Sequence, residues 1–309
     1  MIRLLTLALA AIIAALPAQA QKLDDVPRTV VMTAIAPEWD ALVGSLEGAR
    51  EHRINGNIFL TGTLAGKPVV LMRSGLSMVN AAMNTQLVLD RFTVKRILFS
   101  GIAGGVDPAL AIGDVLVAAD WGQYLEAAFA RRKGKRWQPP QTLTPGGPAN
   151  WYFIFPHGTI VGNASTAPQR LYRLPVDPAL LAVAQQVLPA ITLERCVAAS
   201  AGMREGSALC LPHTPRIHVG GTGVSAGVYA DNAEFRRYLH KAWAARVLDM
   251  ESAAVVQVAF SNSVPAIIFR SVSDLAGGDP DRNRLATFGH LAAVNSAHVV
   301  RAYLAALAD

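Results

Sequence analysis

The sequence predicts an α/β fold: one three-layer α/β/α domain built around a mixed, mostly parallel central sheet. Short β-branched runs alternate with longer amphipathic stretches, the pattern of a sheet covered by helices on both faces. Hydrophobic residues make up 52% of the 309 residues and charged residues 16%, which suits a large core and argues against disorder. No internal repeat, low-complexity tract or linker divides the chain.

The first segment is read as a targeting signal. Arg3 supplies a positive start, Leu4 to Leu16 is an apolar run broken only by Thr6, and Ala18-Gln19-Ala20 follows Pro17 as a cleavage pattern. A run of about thirteen residues is too short for a membrane span. Residues 1–20 are therefore expected to be removed, leaving residues 21–309 as the domain of a periplasmic or secreted protein with no membrane partner.

Along that domain, Val30 to Ile35 reads as a strand and Glu38 to Leu46 as a helix. Asn57 to Leu64 and Lys67 to Arg73 read as a hairpin turning at Ala65-Gly66. Apolar spacing predicts a helix over Met78 to Phe92. Strands follow at Arg96 to Ser100 and Asp114 to Ala119, then a helix at Ala179 to Leu188 and a strand at Arg216 to Gly220. Glu234 to Ala244 and Ser252 to Ser261 read as helices, Ala266 to Ser271 as a buried strand, and Gly289 to Leu307 as a closing helix. Pro139 to Pro168, rich in Pro, Gly and Asn, reads as an inserted excursion with short strands.

The net charge of +6 invites a nucleic-acid reading. The basic residues read as scattered, with one dense run from Arg131 to Arg136 that suits a solvated loop, so no nucleic-acid partner is expected. Cys196 and Cys210 flank a turn-rich stretch, and in an exported chain they read as one disulfide. No CxxC occurs, and no metal site is expected.

Ligands of α/β sheets collect where strands end, and four such places are chemically loaded. Ala34 to Glu38 puts a carboxylate just beyond a strand. Ser100 to Gly105 reads as a Gly-rich turn that lets backbone approach a ligand. Asp249 to Ala254 is an acidic turn opening an apolar helix, and Arg270 to Asp274 places an acid at a strand's end. Taken singly, Glu38 and Glu251 also read as ordinary first-turn acids, and Ser273-Asp274 as a helix cap.

Together with Ser74-Gly75-Leu76, Val79 to Ala82 and Ile112 to Val115, these segments resemble the methylthioadenosine/S-adenosylhomocysteine nucleosidases and the hexameric-type purine nucleoside phosphorylases. The resemblance implies cleavage of the N-glycosidic bond of a purine nucleoside by a homodimer, without a cofactor. It implies that Asp274, oriented by Ser273, is the acid at purine N7, and that Glu38 positions the attacking water. Glu251 would hold the ribose hydroxyls while Met250 packs on the sugar. Tyr229 would stack on the base, although a core aromatic is the alternative. The backbone of Ala103 and Gly104 would line the base pocket.

Two departures bear on the reaction. Phosphorylases of this family place arginine and serine where Phe99 and Ile102 stand here, and a phosphate buried without cationic donors is costly. Hydrolysis is therefore expected, with a phosphate-dependent phosphorylase and a secreted binding or storage protein as the alternatives. Trp121 to Glu126 replaces a His-Asp-containing segment of the well-known nucleosidases, which leaves the substrate's identity open.

Overall fold

The computed structural model describes residues 21–143, 146–198 and 208–308; the expected signal at residues 1–20 lies outside them. Twelve strands form the main sheet. They are β1 (Arg28–Thr33), β2 (Glu47–Ile54), β3 (Asn57–Leu64), β4 (Lys67–Arg73), β5 (Val94–Gly105) and β6 (Val115–Val117). The others are β7 (Asp120–Gln123), β8 (Leu174–Pro175), β9 (Ile217–Val219), β10 (Thr222–Ser225), β11 (Ala245–Asp249) and β12 (Ala266–Asp274). Among the described residues six α-helices accompany them: α1 (Ala36–Val43), α2 (Met78–Arg91), α3 (Pro178–Val187), α4 (Ala233–Trp243), α5 (Ser252–Ser261) and α6 (Leu285–Ala306).

The sheet runs β8-β7-β10-β11-β5-β1-β4-β3-β2, with β12 paired to β5 and β6, and β9 paired to β6. Its centre is parallel: β4, β1, β5 and β12 run together, as do β7, β10 and β11. Antiparallel pairings bring in the β2-β3-β4 meander and join β11 to the far end of β5.

Alternation explains the two helical layers. Val30, Met32, Phe99 and Ile268 join one core with residues of α2 and α5, such as Val88 and Val255. Their neighbours Val31, Leu98 and Ile267 join the other, with Leu42 of α1, Leu180 of α3 and Val300 of α6. Strands buried on both faces carry apolar runs without alternation, as Val30–Met32 of β1 and Ala266–Phe269 of β12 do. The three-layer single domain is the predicted one.

The hairpin of β3 and β4 turns at Ala65 and Gly66, both at positive φ (49° and 76°), and α5 spans the predicted residues. Two segments differ from expectation. Ser100 to Gly105 is not a turn but the second half of β5, because its glycines let the side chains of β12 pass close by. Ala266 to Asp274 is likewise one strand to its end, longer than predicted. The excursion begins earlier than expected, with two-stranded pairings from Ala127 onward.

Cys196 and Cys210 are disulfide-bonded, S–S 2.06 Å, and face each other across a small hairpin. Residues 199–207 between them lie outside the described residues. Among the described residues, no helix is long and apolar enough to cross a membrane.

Candidate active site

Long, adjacent strands β5 and β12 organise the site. Their register pairs Arg270 with Gly101 and Val272 with Ala103, then shifts so that Asp274 meets Gly104. This irregularity leaves Ser273 without a partner in the ladder. Such bulges re-aim side chains beside functional sites, and here the bulge brings Ser273 and Asp274 to a cleft. The cleft, open to solvent at its mouth, spans about 600 Å³ and is lined from seven segments, with Glu38, Ile102, Tyr229, Met250 and Asp274 among the lining residues.

Four carboxylates line it: Glu38, Asp249, Glu251 and Asp274. Glu38 is buried, and its Oε2 accepts hydrogen bonds from the amides of Ala34 (2.6 Å) and Ile35 (3.1 Å). Its Oε1 accepts from Ile102 N at 2.9 Å. The first-turn reading thus holds, because Glu38 satisfies donors at the start of α1, and its side chain also lines the cleft. Burial raises its proton affinity, against the opposing charge of Arg270, which suits a group that takes a proton.

Glu251 does not cap its helix. Its Oε1 accepts from Ser77 N at 2.7 Å, across the cleft wall. Ser77 has a φ of 77°, a strained conformation for a residue with a side chain, and the bond to Glu251 holds it there. Burial pushes the Glu251 carboxyl up to about 7, with Arg270 opposing and Asp249 adding to the rise.

Capping of α5 falls to Asp249, whose Oδ1 accepts from the amides of Glu251 (3.2 Å) and Ser252 (3.1 Å) and from the Ser225 hydroxyl. Behind these acids lies Arg270, fully buried. Its Nε is 2.7 Å from Asp249 Oδ2, and its Nη1 and Nη2 lie 3.8 Å from Glu38 Oε1 and 3.6 Å from Glu251 Oε2. The guanidinium rests on the Phe99 ring, 4.1 Å from its centroid. One cation therefore holds three carboxylates together, and Phe99 is its platform.

Asp274 is buried, and no helix starts there, so the capping alternative fails. Its Oδ2 accepts from Ser273 Oγ at 2.8 Å, and its Oδ1 accepts from Ala276 N at 2.9 Å. Ser273 Oγ also lies 3.3 Å from the Ala103 carbonyl. The hydroxyl can donate to that carbonyl whenever Asp274 carries the proton. Asn283 Nδ2 bridges Asp274 Oδ1 and Asp231 Oδ1, 3.1 Å from each.

Met250, Ala103 and Gly104 line the cleft. Tyr229 lines it too and is 57% exposed, so it is a rim residue rather than a core aromatic. Burial and the nearby Asp274 and Asp231 push its hydroxyl up to about 12, which keeps it neutral. Trp121 and Tyr124 are instead core residues: Trp121 packs against Gly223, and Tyr124 against Phe235. None of residues 121–126 lines the cleft. Sequence reasoning assigned no role to Arg270, Ser77, Asp249 or Asn283. For Arg270 a signal existed, a lone cation inside an apolar strand.

Residues 28–305 match the phosphorylase superfamily, so the chain belongs to that family. Within it, the chain is similar to the 5'-methylthioadenosine/S-adenosylhomocysteine nucleosidase of Mycobacterium bovis, 32% identical over 88% of this chain and 94% of the relative. Bark storage protein A of Populus deltoides is 26% identical over 79% of this chain and 75% of that protein. Among solved structures, the nucleosidase of S. pneumoniae with a transition-state inhibitor superposes with a TM-score of 0.65 at 22% identity, covering 91% of this chain and 100% of that one. The futalosine hydrolase of Helicobacter pylori does so with 0.65 at 20% identity, covering 91% and 99%.

Proposed function

We propose that the chain is a purine nucleosidase: it hydrolyses the N-glycosidic bond of a purine nucleoside, 5'-modified as in methylthioadenosine, to free base and sugar. The carrying observation is electrostatic. Four carboxylates line the cleft, and its lining residues include no Lys, Arg or His. The single cation behind them, Arg270, is outnumbered by the acids that surround it. A phosphate dianion would meet repulsion there, whereas water and a sugar developing positive charge would not.

The residues divide the work. Glu251 accepts the ribose hydroxyls, and Tyr229 closes over the base with Met250 against the sugar. Glu38 orients water and takes its proton as the oxygen bonds to C1'. The electrons of the C1'–N9 bond leave with the purine, and Asp274 delivers a proton to N7. Ser273 then turns its own proton toward the new carboxylate. Arg270 keeps the acids fixed and partly neutralised.

Two further features are part of the proposal. Leu76, which lines the cleft, and Val79 and Met83 on α2 are exposed apolar side chains, and a homodimer would cover them. The Cys196–Cys210 bond favours an oxidising compartment such as the periplasm.

Incubation of the protein with a panel of purine nucleosides, with and without phosphate, tests the reading. Free base and free sugar at an undiminished rate without phosphate are expected. A sugar 1-phosphate formed only with phosphate would establish the phosphorylase instead. No turnover of any nucleoside would favour the storage reading that the bark storage similarity raises.

A further inference from the structure

The chain's net charge of +6 is not spread over the molecule. Residues 127–176 contain seven Lys and Arg and no Asp or Glu, so that segment carries +7 and the remainder carries −1. The scattered distribution expected from the sequence is therefore wrong at the level of the fold. Five of the seven cations sit on one hairpin, whose strands Arg131–Lys133 and Arg136–Gln138 turn at Lys133, Gly134 and Lys135.

Register concentrates them further. Arg136 lies opposite Lys133, and Gln138 opposite Arg131. Because strand side chains alternate, Arg131, Lys133 and Arg136 share one face, with two like charges directly across from each other. Like charges so placed destabilise a hairpin. Every residue from Arg131 to Gln138 is exposed, and among the described residues none of these cations takes part in an ion pair. The opposite face pairs Arg132 with Trp137, the guanidinium 5.9 Å from the ring centroid. Trp137 continues into an apolar cluster: it packs on Phe153, 5.6 Å between centroids, and Phe153 meets Phe129 edge-on at 5.1 Å. Phe129 is 68% exposed.

We propose that this hairpin and its aromatic base form a docking surface for an anionic phospholipid bilayer. Approached from its tip, the hairpin offers both faces to the headgroup layer: the cations meet headgroup phosphates, and the amphipathic Trp137 ring settles at the interfacial level. Single-stranded nucleic acid fits less well, because it needs open ring faces for successive bases, and here the rings pack against one another. None of the hairpin's residues lines the cleft.

Flotation of the full-length mature protein with vesicles tests this. Binding to phosphatidylglycerol-containing vesicles is expected, with little binding to pure phosphatidylcholine and release by added salt. The variant Arg131→Ser/Lys133→Ser/Arg136→Ser should bind roughly a hundredfold more weakly, at about fivefold per cation. Its thermal midpoint should be unchanged or slightly raised, since the substitution removes the like charges that face each other. Trp137→Ser should bind several-fold more weakly at every salt concentration. Equal binding to both vesicle types, equal binding by the triple variant, or salt-insensitive binding by the wild type would overturn the proposal. Capture of single-stranded oligonucleotides without binding to vesicles would overturn it too.

Discussion

Gly101 and Arg270 are partners across the pairing of β5 and β12, and the Arg270 guanidinium occupies the space that a side chain at position 101 would need. A Cβ there would collide with Arg270 Nη1 and lie 2.9 Å from Glu38 Oε1. The glycine therefore serves a close approach rather than a turn. Gly101→Ala should displace the guanidinium from three carboxylates at once. A loss of about 1–3 kcal/mol, the usual cost of overpacking, is expected in denaturant melts, with a larger loss of turnover because Glu38 moves as well.

Asn283 tests how tightly Asp274 must be held. It is absent from the residues lining the cleft but donates to Asp274 Oδ1. Asn283→Ala should lower kcat roughly tenfold, on the scale of a hydrogen bond to a charged group, with KM nearly unchanged. A change confined to KM would mean that Asn283 shapes binding instead.

Glu251 makes stability depend on pH in a definite direction. Its carboxyl, ordinarily at 4.5, is pushed to about 7 by burial. Between those values the folded state binds more protons than the unfolded chain. The contribution is therefore complete below about 4.5 and is lost as pH rises to about 7. Glu38 shifts in the same direction for the same reason. Thermal midpoints of wild type and Glu251→Gln should coincide near pH 4.5 and diverge as pH rises to about 7, the wild type falling below the variant. In the wild type, KM should fall over the same range, since only the ionised carboxylate accepts from both ribose hydroxyls.

The disulfide should matter to stability and not to chemistry. Neither Cys196 nor Cys210 lines the cleft, and the bond closes a loop of sequence separation 14. Cys196→Ser/Cys210→Ser should lose roughly 3 kcal/mol on the chain-entropy account and retain wild-type kcat. A fall in kcat at full occupancy of the folded state would tie the hairpin to the site.

What the sequence made legible follows from how local each signal is. The β3-β4 hairpin announces itself through alternation and a turn, and α5 through an apolar run after two acids. By contrast, β2 is a charged, exposed stretch, Glu-Gly-Ala-Arg-Glu-His-Arg-Ile. Such composition protects a sheet edge from unwanted pairing and hides the strand from a search for apolar periodicity. Strands β10 and β11, of four and five residues, are too short to show a period. In the site, the acids Glu38, Glu251 and Asp274 were readable because Glu38 and Glu251 follow a strand and Asp274 ends one. The roles of Arg270 and Asn283 were not, since both depend on which residues of other segments come within reach. Arg270 needs Gly101 and Phe99 opposite it, and Asn283 sits in a loop whose contact with Asp231 spans 52 positions.

The central claim is that Asp274 protonates the departing purine, and its most direct test is the kcat of Asp274→Asn on methylthioadenosine in phosphate-free buffer. The side chain's size and its bonds to Ser273, Ala276 and Asn283 make the amide a close replacement, so the thermal midpoint should stay near wild type. Because an amide has no acid proton to give, release of free adenine should fall by roughly 10²–10⁴-fold. A folded variant that kept more than about a tenth of wild-type turnover would contradict the account, since a general acid contributes at least about a hundredfold.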